Sequence, residues 1–149
     1  MKDPFRLDGQ CAVVTGAGKG IGRGITLQLA RAGADVVISS RTEDDLTSLV
    51  NEVESMGRKA TPVLCDVTQT AELENLAETA VTVGGIDIWV NNAGGLPDAT
   101  PRYLTRTPED RWDAQMNLNL KAVFIACQVA AANMTEGAII NISSSSAKA

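Results

Sequence analysis

The chain has 149 residues, of which 44% are hydrophobic and 21% charged, and its net charge is -5; this is enough for a domain with a buried core, and the balance is not that of a disordered chain. The excess of acid excludes a generally nucleic-acid-binding surface and leaves any basic function to a local pocket. The chain contains no histidine, which removes the Ser-His-Asp triad, the His-bearing zinc sites and the commonest neutral-pH base.

The first ten residues, MKDPFRLDGQ, have no long apolar core, and no charge-free run reaches the roughly 20 residues that cross a bilayer. The expectation is a cytoplasmic protein with neither membrane nor nucleic-acid partners. Cys11, Cys65 and Cys127 are odd in number and each lies in an apolar stretch, so they read as buried free thiols rather than a disulfide framework or a metal cluster.

The first strand is expected over 10–15 (QCAVVT), and it runs straight into VVTGAGKGIG at 13–22. A strand, a glycine-rich turn and a helix start gather backbone N–H groups and the positive end of a helix dipole at one spot, which makes an anion site. The helix that follows carries Ile21, Ile25 and Leu29 on its apolar face and leads to a second strand over 34–39 (ADVVIS). The whole unit has the length of a dinucleotide-binding βαβ.

Such units usually place an acid at the end of the second strand to hold a ribose 2′-hydroxyl. Here the sequence is ISSRTEDD, with Ser40 and Arg41 in its place. Ser40 can donate to a 2′-phosphate, Arg41 can form a charge-assisted fork with it, and Lys19 from the glycine turn adds a second positive charge. The expectation is therefore NADP(H) rather than NAD(H). The competing assignment makes Arg41 a solvated charge and Lys19 a tolerated turn residue.

A second helix carries Leu46, Leu49, Val50, Val53 and Met56 on one stripe, with Thr42 as its cap, Glu43, Asp44 and Asp45 in its first turn and Gly57 as its stop. Those acids read as partners of the helix dipole. The third strand is expected over 60–65 (ATPVLC), and the third helix repeats the stripe with Leu73, Leu76, Ala77, Ala80 and Val81 up to Gly84. A fourth strand covers 86–90 (IDIWV), and Thr107 and Pro108 open the fourth helix as cap and first helical residue. From Leu118 to Ala132 that helix is apolar almost all round, so it is buried on two sides, against the sheet and either another subunit or chain not included here. A fifth strand spans 137–142 (GAIINI). Strands this apolar, alternating with helices, imply a doubly wound parallel sheet with helices on both faces, within one domain over 1–149.

With these motifs in place the chain resembles a classical short-chain dehydrogenase/reductase. TGAGKGIG at 15–22 matches the Thr-Gly-x-x-x-Gly-x-Gly loop of that family, NNAG at 91–94 its motif after the fourth strand, and CDV at 65–67 its adenine-flanking segment. WDAQMNLNLKA is similar to the helix bearing the active-site asparagine, and IINISSS to the fifth strand with its serine. The resemblance implies a Rossmann-type fold with strand order 3-2-1-4-5 and an oxidoreductase that moves hydride between NADP(H) and a carbonyl or secondary alcohol. It implies that Gly16, Gly18, Gly20, Ile21, Gly22, Asp66, Val67, Asn92, Ala93 and Gly94 bind cofactor together with Lys19, Ser40 and Arg41. Asp66 is alternatively a helix cap, and Asn92, Ala93 and Gly94 form a small-residue turn that a flat ring can approach. The catalytic residues carried over are Asn119, in preference to Asn117, and Ser144, with Ser143 as runner-up. Asn119 in an apolar helix requires at least a hydrogen-bonded network. The apolar helix over 109–133 adds the expectation of a homo-oligomer, a dimer or tetramer, formed through it.

One motif of that family has no counterpart in the sequence. The tyrosine of its Tyr-x-x-x-Lys motif follows the serine, but the only tyrosine here is Tyr103, with Thr107 four residues on. Three readings follow: the first part of a longer reductase, a truncated product that has lost catalysis, or a dinucleotide-binding module without turnover.

Overall fold

A computed structural model describes residues 3–101 and 103–145. Five strands are found among the described residues: β1 (Cys11–Val14), β2 (Asp35–Ser40), β3 (Ala60–Leu64), β4 (Ile88–Asn91) and β5 (Ala138–Asn141). They form one parallel sheet in the order β3-β2-β1-β4-β5, as the sequence implies. The helices are α1 (Gly20–Ala32), α2 (Glu43–Ser55), α3 (Thr70–Val83), α4 (Glu109–Met116) and α5 (Ala122–Asn133).

Two cores flank the sheet. Val14, Val36 and Ile38 point to one face and pack with Ala30 of α1 and Leu46, Leu49 and Val53 of α2. Val13, Val37 and Trp89 point to the other and pack with Leu73, Leu76 and Ala80 of α3 and with Ala122, Ala126 and Ala130 of α5. Alternate residues of one strand thus serve opposite layers, which is why β1 and the Val36–Ile38 stretch of β2 are apolar without alternation.

Some helix faces differ from their sequence pattern. Ile21 is exposed, and the buried line of α1 is instead Gly22, Thr26 and Ala30. The cause is close approach: a helix whose first turn lies against a loop backbone puts its smallest residue inward. Val81 likewise faces outward from α3. Thr42 occupies the N-cap of α2 without a side-chain cap bond, and its own N–H donates to Ser40 Oγ at 3.2 Å. Pro108 rather than Thr107 is the N-cap residue of α4, so the helix starts one residue later than expected, with Glu109 the first helical residue.

The expected fourth helix is two helices joined by a π-helical turn at Asn117–Lys121. Its α5 half buries a ladder of alanines against the sheet and leaves Phe124 exposed, as is Leu120 in the turn. The second covered face inferred from its apolar sequence is therefore open in this chain. No described helix is long and apolar enough to cross a membrane.

A polar chain runs through the β4 and β5 ends of the sheet. Trp89 Nε1 donates to Asn91 Oδ1 at 2.7 Å, and Asn91 Nδ2 donates to Asn141 Oδ1 at 2.9 Å. The two asparagines are register partners in the β4–β5 ladder. Trp89 is 0% exposed, so its indole N–H needs this partner.

Burial pushes the Cys11 thiol up to about 11 and the Cys65 thiol up to about 12, with nearby carboxylates adding to both. Both stay protonated near neutrality and are shielded from reagents. Cys127 is only half-buried. In the native protein at pH 8 a disulfide reagent is expected to titrate Cys127 first, with Cys11 and Cys65 reacting only after denaturation; rapid modification of all three would contradict the packing. Trp89→Ala is expected to lower the unfolding free energy in urea by about 3–5 kcal/mol, the cost of a large core cavity.

Candidate cofactor cleft

The sheet reverses its order between β1 and β4, and the crevice outside the carboxyl ends of those two strands is where open α/β sheets bind ligands. Thr15 ties the two ends together. Its hydroxyl accepts the N–H groups of Asn92 and Ala93, each at 3.1 Å, while Thr15 N donates to Val90 O at 3.0 Å. Asn92 Nδ2 returns the contact by donating to the carbonyls of Thr15 at 3.0 Å and Gly16 at 3.1 Å. Asn92 is thus a brace for the glycine loop rather than a surface facing the cleft.

The glycines are required by this approach. Gly16 has φ +63°, and a Cβ there would lie 2.9 Å from Ala93 Cα. A Cβ on Gly22 would overlap the Gly16 carbonyl and the Asn92 amide nitrogen. Gly18 faces the end of β2, where a Cβ would lie 2.9 Å from Asp45 Cβ and 3.0 Å from Ser40 Oγ. Gly20 has φ +55° at the first position of α1. The helix start carries no side-chain cap, because the N-cap residue is Lys19; its first N–H groups are therefore presented from the loop without a side chain of their own to bond.

A cleft of about 510 Å³ opens beside this loop. It brings together Gly16, Gly18 and Lys19 from the loop, Ser40 and Arg41 from the end of β2, and Asp66 and Val67 after β3. Ala93 and Gly94 form its floor near β4. Gly20, Ile21, Gly22 and Asn92 lie outside the lining, in the loop and helix that shape it. Thr42, Asp45 and Thr68 line it as well, and no sequence pattern separates them from their neighbours.

Asp66 is not a helix cap. Gln69 holds the N-cap of α3, and Asp66 Oδ1 instead accepts from Thr68 N at 3.0 Å and Thr68 Oγ1 at 2.8 Å. Those bonds, foremost the one from the Thr68 backbone, hold its carboxyl below the usual range, and the positive charge of Arg41 contributes in the same direction. The carboxylate end of this turn therefore stays ionised beside Arg41.

Lys19 does not project freely. Its Nζ lies 3.1 Å from Asp45 Oδ2, with the lysine side chain 79% exposed and the aspartate 22%. Asp45 is the third residue of α2, and it faces the cleft while Glu43 and Asp44 face outward.

Asn119 lies in the π-helical turn, where one extra residue per turn re-aims side chains. Its side chain is exposed rather than buried, yet fully engaged: Oδ1 accepts from Gly95 N at 2.9 Å, and Nδ2 donates to Gly95 O at 2.8 Å and Gln115 O at 3.1 Å. The turn thus fastens the segment after NNAG to the α4–α5 helix. Asn117, the less favoured asparagine, lines the cleft itself. Ser143 and Ser144 sit exposed just beyond β5, on the carboxyl side of the sheet; neither lines the cleft.

The sequence profile described as short chain dehydrogenase matches residues 10–149. A 3-oxoacyl-(acyl-carrier-protein) reductase of Thermotoga maritima is 39% identical over 144 residues, covering 94% of this chain and 57% of the relative. A short chain dehydrogenase from Burkholderia cenocepacia, solved in complex with NADP, superposes with TM-score 0.88 at 35% identity, covering 96% of this chain and 58% of that one. A 7α-hydroxysteroid dehydrogenase complexed with NADH and 7-oxo glycochenodeoxycholic acid superposes with TM-score 0.90 at 38% identity, covering 97% and 57%. The chain spans a little over half the length of these proteins. With its glycine loop, sheet order and NNAG turn accounted for residue by residue, the chain belongs to the short-chain dehydrogenase family.

Proposed function

We propose that the protein is an NADP(H)-dependent oxidoreductase acting on a carbonyl or secondary alcohol. The observation that supports this most directly is the convergence of Ser40 and Arg41 on one cleft with Gly16, Gly18 and Lys19 of the loop that leads into the uncapped start of α1. In this reading the α1 N-terminus and the loop N–H groups bind the pyrophosphate. Arg41 takes the 2′-phosphate by a charge-assisted fork, and Ser40, whose oxygen already accepts from Thr42 N, contributes its O–H as a donor. Asp66 and Val67 flank the adenine, and Ala93 and Gly94 let a flat ring lie against backbone.

The nicotinamide, when bound, supplies or accepts the hydride. The chain's task at that end is positioning. Ser144 holds the substrate oxygen through its hydroxyl, and the Asn119 turn fixes the wall formed after Gly94. The exposed Leu120 and Phe124 beside the π-turn favour association with a second copy of the chain, in a cytoplasmic homo-oligomer.

Arg41→Ala is expected to weaken NADPH by about ten- to a hundredfold, the scale of a lost charge-assisted pair, with a much smaller effect on NADH. Fluorescence titration of the reduced cofactors measures both, and equal weakening would remove the phosphate assignment. Gly22→Ala, in contrast, should weaken both cofactors alike, because it forces the loop off β4. It should also destabilise the fold by about 1–3 kcal/mol in the same denaturation assay used for Trp89.

A further inference from the structure

We propose that Asp45 restrains the preference of the cleft for NADP(H), opposing a 2′-phosphate while accommodating a 2′-hydroxyl. The inference rests on the reading of this cleft as a nicotinamide-dinucleotide site. Its sequence context hides it, since three consecutive acids open α2 and any of them could serve the helix dipole. The structure separates them: Glu43 and Asp44 are exposed, while Asp45 is largely covered and lines the cleft with Ser40 and Arg41.

Two contacts define its position. The Asp45 carboxylate pairs with Lys19 at 3.1 Å, and its Cβ lies under Gly18, where no side chain larger than hydrogen fits. The carboxylate is therefore held at the junction of the glycine loop and the β2 end. Lys19, the cation expected to reinforce Arg41, is already engaged with a negative partner. The charged side chains lining the cleft are Lys19, Arg41, Asp45 and Asp66, so Arg41 acts there against a background of one positive and two negative side chains rather than a positive one.

A phosphate dianion entering beside Ser40 and Arg41 meets this carboxylate and must compete with it for Lys19. A ribose hydroxyl has no such conflict, because it can donate to a carboxylate oxygen. Asp45 thus returns, from the following helix, the acid that is missing from the end of β2. The outcome is a cleft whose preference for NADP(H) is restrained and which retains use of NAD(H).

The test measures dissociation constants of NADPH and NADH for the full-length protein and its variants. Asp45→Asn should shift the affinity ratio toward NADPH by about tenfold in dilute buffer, with the shift shrinking as salt screens the charge. Asp45→Ser, which also removes the charge and suits a helix start, should shift it the same way, so a folding defect of one variant does not hide the effect. Lys19→Ala should cost NADPH several times more in the Asp45→Asn background than in the wild type, because the lysine is then released. An unchanged ratio in both Asp45 variants, with Arg41→Ala still selective against NADPH, would overturn the role of Asp45 and leave the phosphate site standing. An unchanged ratio in all three would overturn both.

Discussion

The approach of the 15–22 turn to the end of β4 is the constraint on which the cleft depends. Gly16 and Gly22 have no room for a Cβ, and the Thr15 hydroxyl and the Asn92 amide cross-link the two strand ends through backbone groups. Buried backbone polar groups must be paired somewhere. Here the pairing is done by two side chains, and it leaves the N–H groups at the start of α1 available to an anion. The local choices are mutually consistent: small residues where chains touch, a hydroxyl and an amide where carbonyls and N–H groups would otherwise lack partners.

Much of the fold was legible because its signals are redundant. Each strand is an apolar run followed by a helical stripe, and consecutive parallel strands need crossovers, so the layering follows from the alternation, while the strand order came with the family resemblance. Leu46, Leu49 and Val53, or Leu73, Leu76 and Ala77, report buried faces because period alone decides them. Ile21 misled for a related reason. Hydrophobicity marks what could be buried, whereas the distance between α1 and the loop decides what fits, and there glycine displaces isoleucine.

The site was legible as a set of motifs but not as a set of contacts. NNAG announces a turn, yet nothing in the sequence tells that Asn92 braces Gly16 or that Asn119 grips both backbone atoms of Gly95. A π-turn leaves almost no trace in a run that is apolar all round, since a pattern without a polar face has no phase to lose. Asp45 was hidden among equals. Its distinction is the direction in which one residue of the first turn of α2 points, and that depends on where α2 meets the loop.

The amide pair between Asn91 and Asn141 has a consequence for the far end of the sheet. Aliphatic neighbours such as Val90 and Ile140 would tolerate a sliding β5 almost equally well at several offsets, but two amides joined edge to edge match at one alignment only. This pairing acts as a vernier: it sets, to a single residue, how far the strand protrudes past its neighbour before the run of serines begins. In the proposed reading, the Ser144 hydroxyl that holds the substrate oxygen is thereby placed by a bond made three positions earlier.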